Sequence, residues 1–183
     1  LIRQWFKIQH LRMPAEKTLK AILNEVINAK QSANPELTGK GYCIRRYRDK
    51  LFCIKSDDSS KQQGEQRWIL DSEQIILADR SKLVISESSA GIAKRLWDTA
   101  EVRVKFRQGA EKISLPGRAG RHTLKKLYQE KAVPPWQRSK IPLIYLDNNL
   151  AAVADLWIAA DYFSQNESCY QLDWLKPIVA ESI

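Results

Sequence analysis

Arg118, Arg121, His122, Lys125 and Lys126 lie within one short stretch of this chain, at the start of a short amphipathic segment. Leu124, Leu127 and Tyr128 recur there at i, i+3 and i+4, which predicts a helix from Thr123 to about Lys131 with Thr123 as its N-cap. Cations at a helix start oppose the macrodipole by about 0.3–1 kcal/mol each, and a bound phosphate reverses the sign. A capping box needs Glu or Gln three residues after the cap, but Lys126 stands there. The residues therefore predict a basic loop running into a helix start that holds an anion. A solvated cationic surface is the competing reading of the same cluster.

The charge distribution favours the anion. The formal net charge is +9, and residues 94–140 hold 13 Lys and Arg against 4 Asp and Glu. Residues 141–183 hold 1 against 6, so an acidic segment follows the basic one. Such asymmetry points to a polyanionic partner that meets one face.

Catalytic signatures are missing from these 183 residues. The chain has no GxxxxGK[ST] phosphate loop, no GxGxxG, no GxSxG elbow and no HExxH. Cys43, Cys53 and Cys169 are odd in number and fit neither a zinc spacing nor a disulfide framework, so they read as reduced thiols. With only His10 and His122, no His-rich metal site assembles.

The surrounding elements predict an α+β chain of two small domains. Leu1-Ile2-Arg3-Gln4-Trp5-Phe6 reads as the middle of an amphipathic helix, so the chain is expected to be a piece of a longer protein. After Pro14 a helix places Leu19, Ile22, Leu23, Val26 and Ile27 on one apolar stripe, expected in the core. Asn34-Pro35 and Gly39-Lys40-Gly41 mark turns, and Tyr42–Arg48 with Leu51–Lys55 reads as a hairpin. Arg46 and Arg48 share one face by the two-residue period, either toward RNA or simply exposed.

The polar run 56–64 marks a boundary, giving domain 1–60, a linker with leading strands over 61–93, and a second domain over 94–183. Beyond the boundary, strands are expected at Gln74–Leu77, Leu83–Ser86 and Val102–Phe106, with a short helix near Ala93–Trp97. Ile141–Leu146 and Leu150–Val153 flank Asp147-Asn148-Asn149 as a hairpin, and Tyr170–Trp174 is expected to close its sheet. Pro134-Pro135-Trp136 is read as the stop of the basic helix, with Trp136 as a packing anchor and Arg138 just beyond as a further candidate RNA contact. No apolar run approaches a membrane span and no leader pattern opens the chain, which is read as cytoplasmic.

Val102–Gly109, Pro116-Gly117-Arg118, Leu124–Leu127, Pro134–Trp136, Pro142-Leu143 and Trp157 together resemble the C-terminal domain of the tRNA(Ile)-lysidine synthase family. Leu11-Arg12-Met13-Pro14, the helix after it and Ile44–Arg48 resemble that family's middle, substrate-recognition domain, while residues 56–93 match weakly. The resemblance implies a parent ligase that joins lysine to C2 of the wobble cytidine in the CAU anticodon of tRNA(Ile), using ATP with magnesium to adenylate the cytidine first. It allows a homodimeric parent. The family's SGGxDS pyrophosphate loop does not occur between Leu1 and Ile183, so this stretch is expected to be inactive alone, to hold no cofactor, and to bind tRNA. Arg118, Arg121, Lys125 and Lys126 would contact phosphate and ribose, with His122, Arg138, Arg46 and Arg48 as further RNA-binding candidates. A self-standing RNA-binding module without linked catalysis is the alternative.

Overall fold

The computed structural model describes residues 1–30, 33–55 and 64–176. They fall into two compact units, one within 1–59 and the other within 60–177. Most of the polar run read as a boundary, residues 56–63, lies outside the described residues.

The first unit opens with α1 (Ile2–Ile8), whose Trp5 and Phe6 are buried. α2 (Glu16–Ala21) follows, and Ile22–Ile27 continues it in π-helical form, with Asn28 N donating to Leu23 O at 2.9 Å. The wider turn rotates the apolar stripe. Ile22 and Val26 are fully buried, but Leu23, expected in the core, is 43% exposed. β1 (Glu36–Gly39), β2 (Tyr42–Tyr47) and β3 (Lys50–Lys55) form an antiparallel sheet in that order. β1 occupies a stretch read from sequence as turns only, because four residues ending in glycine carry little strand signal. Tyr42 and Ile44 alternate inward against Phe6, Ile22 and Val26, so the two-residue period of the strand meets the i, i+4 pair of the π-helical segment in one small core.

The second unit holds two five-stranded sheets. β4 (Gln66–Arg67), β5 (Gln74–Ile76), β6 (Lys82–Ser88) and β7 (Gly91–Ala93) come from residues read as a linker with leading strands. They are integral to the unit, because β4 pairs with β8 (Val102–Phe106) and β6 pairs along its length with β15 (Cys169–Leu175). Between them lies α3 (Lys94–Trp97). β9 (Lys112–Leu115) and β10 (Arg118–Thr123) make a separate hairpin, followed by α4 (Leu124–Glu130) and α5 (Pro135–Arg138). β11 (Pro142–Leu146) and β12 (Asn149–Val153) form the expected hairpin, then come β13 (Trp157–Ile158) and β14 (Phe163–Ser164).

The sheet orders are β13-β12-β11-β8-β4 and β14-β7-β15-β6-β5. The segment Tyr170–Trp174 therefore lies at the centre of the second sheet, between β7 and β6, and does not close the sheet of the β11–β12 hairpin as expected. Its register partner, β6, is more than eighty residues earlier, a pairing that no local pattern encodes.

β11 shows how the first sheet is placed. Its sequence PLIYL is nearly all apolar because both faces are covered. Ile144 and Leu146 pack with Trp68, Trp97, Val102 and Leu172, whereas Leu143 packs with Leu124, Leu127 and Tyr128 of α4. Fully burying each of these α4 side chains stabilises the unit by about 1.5–3 kcal/mol. That contact fixes α4, and with it the hairpin that precedes it, on the outer face of the sheet. Among the described residues no helix is long and apolar enough to cross a membrane.

Candidate functional site

β9 and β10 pair in antiparallel register, with Lys112 opposite Thr123, Ile113 opposite His122, Ser114 opposite Arg121 and Leu115 opposite Arg118. Residues 118–122 therefore form a strand, not the loop read from sequence; two glycines and a bulge had hidden its alternation. Ile113 is buried against Leu124 and Leu127, and Leu115 packs beside it, so this side of the hairpin faces the core. By the pleat, Lys112, Ser114, Arg121 and Thr123 share the other side. Lys112, Arg121 and Thr123 are exposed and Ser114 is partly so.

α4 leaves directly from Thr123 and buries Leu124, Leu127 and Tyr128, which turns Lys125 and Lys126 outward. The hairpin thus exposes Lys112 and Arg121 with two hydroxyls, and the start of α4 that follows it exposes Lys125 and Lys126, the latter near the Glu130 carboxylate. Lys125 has no hydrogen-bond or ion-pair partner among the described residues. Arg121 gives one Nη2 hydrogen bond to Lys112 O at 3.3 Å, leaving the rest of its fork outward.

The helix start itself is served by the chain. Thr123 Oγ1 accepts from Lys126 N at 3.4 Å, as the cap assignment predicts, and Glu111 O accepts from Leu124 N at 3.0 Å. A backbone carbonyl from the preceding turn thus satisfies the first amide of the helix. What distinguishes the surface is side-chain charge on a strand and a helix, more than the helix terminus.

Three expected contacts have other occupations. Arg118, placed by the Ala119–Gly120 bulge on the α4 side, makes a bidentate pair with Glu130, Nη1 to Oε2 at 2.8 Å and Nη2 to Oε1 at 3.0 Å. This bond holds the Glu130 carboxyl below the usual carboxylate range. His122 points inward, with its Nε2 buried and without a hydrogen-bond partner. Arg138 is buried at 7% exposure and donates Nε to Val133 O at 2.9 Å, so it secures the α4–α5 connection in place of facing solvent.

In the first unit, Arg46 donates to the carbonyls of Ile27, Ala29 and Lys30, at 2.6 Å and 3.1 Å for the latter two. It clamps the end of the helical segment onto the sheet. Arg48 sits in the β2–β3 turn at φ 54° with its guanidinium 5.7 Å from the Tyr47 ring centre. The two arginines do not share the strand face predicted from alternation, because the strand ends at Tyr47.

Lys112 was not legible as part of the site, although its place two residues before Ser114 in an alternating KISL run carried the signal. The remaining cations of the basic block are largely matched. Arg103 lies 2.5 Å from Glu101 and 3.2 Å from Glu65, Lys105 lies 3.3 Å from Glu65 and Arg67 lies 3.4 Å from Glu101. These neutralise the outer face of β8 and leave the hairpin face as the block's concentrated unpaired charge.

Comparison with known proteins places these residues in a family context. Residues 102–174 match the model of the TilS substrate C-terminal domain, and residues 1–52 match that of the TilS substrate binding domain. The chain is similar to tRNA(Ile)-lysidine synthase of Photobacterium profundum, 35% identical over 178 residues, covering 96% of this chain and 40% of that protein. The corresponding protein of Coxiella burnetii is 32% identical over 167 residues, covering 91% and 37%. The chain thus spans about two fifths of the length of these curated relatives. A solved structure described as the crystal structure of the TILS C-terminal domain superposes with a TM-score of 0.54 at 14% identity, over 64% of this chain and 99% of that one, which shows a shared fold.

Proposed function

We propose, from the premise that this chain belongs to the tRNA(Ile)-lysidine synthase family and carries its substrate-binding and substrate C-terminal domains, that it recognises tRNA and positions it for the ligation carried out by the whole enzyme. The observation that supports the reading is the exposure of Lys112 and Arg121 on the hairpin and of Lys125 and Lys126 on the helix that leaves it, positive charge suited to a phosphate backbone. Exposed lysines and a partly unoccupied arginine fork give register on the polyanion, and the hydroxyls of Ser114 and Thr123 add neutral donors for phosphate or ribose. Base identity is then read through few contacts or through RNA shape.

The partner in this reading is tRNA(Ile) with a CAU anticodon, and the parent reaction is ATP-dependent attachment of lysine to its wobble cytidine. A cytoplasmic location and a homodimeric parent enzyme rest on the family alone. Among the described residues no three His, Cys, Asp or Glu side chains gather as metal ligands, and the sequence has no glycine-rich phosphate loop. ATP with magnesium does not fit these residues.

The test is a salt-series titration of the chain against tRNA(Ile) with a CAU anticodon, elongator tRNA(Met) and duplex DNA, repeated for Lys125→Glu/Lys126→Glu. Preferential binding of tRNA(Ile), with a salt slope lowered by roughly 1–2 in the double variant, supports the reading. Equal binding of all three nucleic acids reduces the surface to a generic polyanion module, and salt-independent binding removes the phosphate role.

A further inference from the structure

The turn from β8 into β9 is built around one carboxylate. Gly109 at φ 114° and Ala110 at φ 65° are consecutive residues in the left-handed half of conformational space, where alanine is disfavoured. Glu111 Oε1 accepts from Gln108 N at 2.5 Å and from Gly109 N at 2.8 Å, two charge-assisted bonds that close this turn. The same residue's carbonyl accepts the first amide of α4, from Leu124. Lys112 and Thr123, the residues next to these two attachments, are register partners at the base of the hairpin. One residue therefore holds both the strand entering the hairpin and the helix leaving it.

The carboxylate is set into the protein to do this. Its side chain is 11% exposed, and Oε2 lies 3.5 Å from Arg107 Nε. Arg107 Nε, Glu111 Oε2 and the Tyr128 hydroxyl are all buried without a hydrogen-bond partner. Tyr128 is fully buried on α4, and burial, aided by the Glu111 charge and opposed by Arg107 and Arg138, pushes its phenol above its ordinary value of 10. A solvent-exposed turn closes without burying a carboxylate or orphaning polar atoms around it, and such costs persist where the geometry beyond them matters.

We propose that Glu111 is a positioning residue for the cationic face, fixing the angle at which the β9–β10 hairpin presents Lys112 and Arg121 beside Lys125 and Lys126; this rests on the tRNA-binding reading above. Glu111 itself touches no RNA. Its side-chain oxygen acts by accepting the two turn amides, and glutamine can still supply that acceptor whereas alanine cannot.

The test compares Glu111→Ala and Glu111→Gln in the 183-residue chain by tRNA(Ile) titration and by amide hydrogen exchange. The expected result for Glu111→Ala is an affinity loss of about tenfold, with faster exchange at Gly109, Leu124 and the hairpin amides and unchanged protection in β6 and β15. Glu111→Gln is expected to stay within about twofold of the parent chain in affinity. Unchanged hairpin exchange in Glu111→Ala overturns the proposal, as does faster exchange with affinity intact, or protection lost equally across the unit. If the parent chain fails to bind tRNA, the function reading falls, and the exchange comparison still decides whether Glu111 sets the hairpin.

Discussion

Arg118 and Glu130, twelve residues apart, are joined by two parallel hydrogen bonds that tie the tip end of β10 to the last turn of α4. The pair removes one cation from the candidate RNA face and gives the hairpin an anchor at its far end, while Glu111 anchors its base. Glu130→Gln is accordingly expected to raise affinity for tRNA and steepen the salt slope by about 1, because it releases Arg118 and removes a carboxylate near Lys126. Weaker binding in a titration of that variant would show that the pair's orienting role outweighs the freed charge.

The same pairing makes a prediction for pH. Arg118 holds Glu130 below the ordinary carboxyl value of 4.5, as Lys94 does for Glu87 and Arg103 for Glu101. A depressed folded value means that the unfolded chain takes up protons first. The stability from these pairs is therefore complete above pH 4.5 and is lost as pH falls through the lower folded values. All three pairs are at least partly open to solvent, so the acid decline in Tm should be shallower at about 1 M salt than at low ionic strength. Thermal melts across pH at both salts check this, and a salt-independent profile would assign the decline to other groups.

Arg46 is expected to matter for the first unit's stability more than for RNA. Its guanidinium fork reaches three carbonyls at the end of the helical segment, so Arg46→Ala should destabilise that unit by about 1.5–3 kcal/mol or more, the range for a hydrogen bond to a charged group. Arg46→Lys should recover only part, since an ammonium cannot span the same carbonyls as a planar fork. Denaturant unfolding monitored through Trp5 separates this from a surface role, in which both variants would melt with the parent chain.

Gly91 gives a prediction for the second unit. At φ 151° it lies where L side chains rarely go, and an added Cβ would stand 2.2 Å from Tyr170 O. Gly91→Ala should cost about 1–3 kcal/mol in backbone strain alone, and more through parting β7 from β15. A calorimetric Tm equal to that of the parent chain would contradict the placement of β7.

Much of this architecture could be read from residue order where local pattern and final environment agree. Val102–Phe106 alternates apolar and basic residues and forms β8 over those same residues. Thr123 caps α4 as its position before Leu124 and Leu127 implied. The misreadings occur where a neighbour distant in sequence decides. Pro134-Pro135 does lie beyond the end of α4, as read, and Pro135 also starts α5, since proline at a first helical position gives up an amide that would be unpaired there anyway. Arg138 looked exposed because nothing near it in the chain reveals that Val133 O would receive its side chain in a buried corner. Of the site, Arg121, Lys125 and Lys126 were legible from charge and spacing, whereas Lys112 and Glu111 emerge only when the hairpin register and the turn are known.

The Ala119–Gly120 bulge has a consequence for how such a surface can change. Arg118 and Arg121 are three residues apart, and the bulge sends one toward Glu130 and the other toward solvent. Losing either Ala119 or Gly120 would leave the arginines two apart, which in an unbroken strand puts both outward. The same side chains would then present one more positive charge to a polymer and strand Glu130 without its partner. Chain length at the hairpin tip is thus a parity switch, able to set the strength of the surface's field without altering any charged residue.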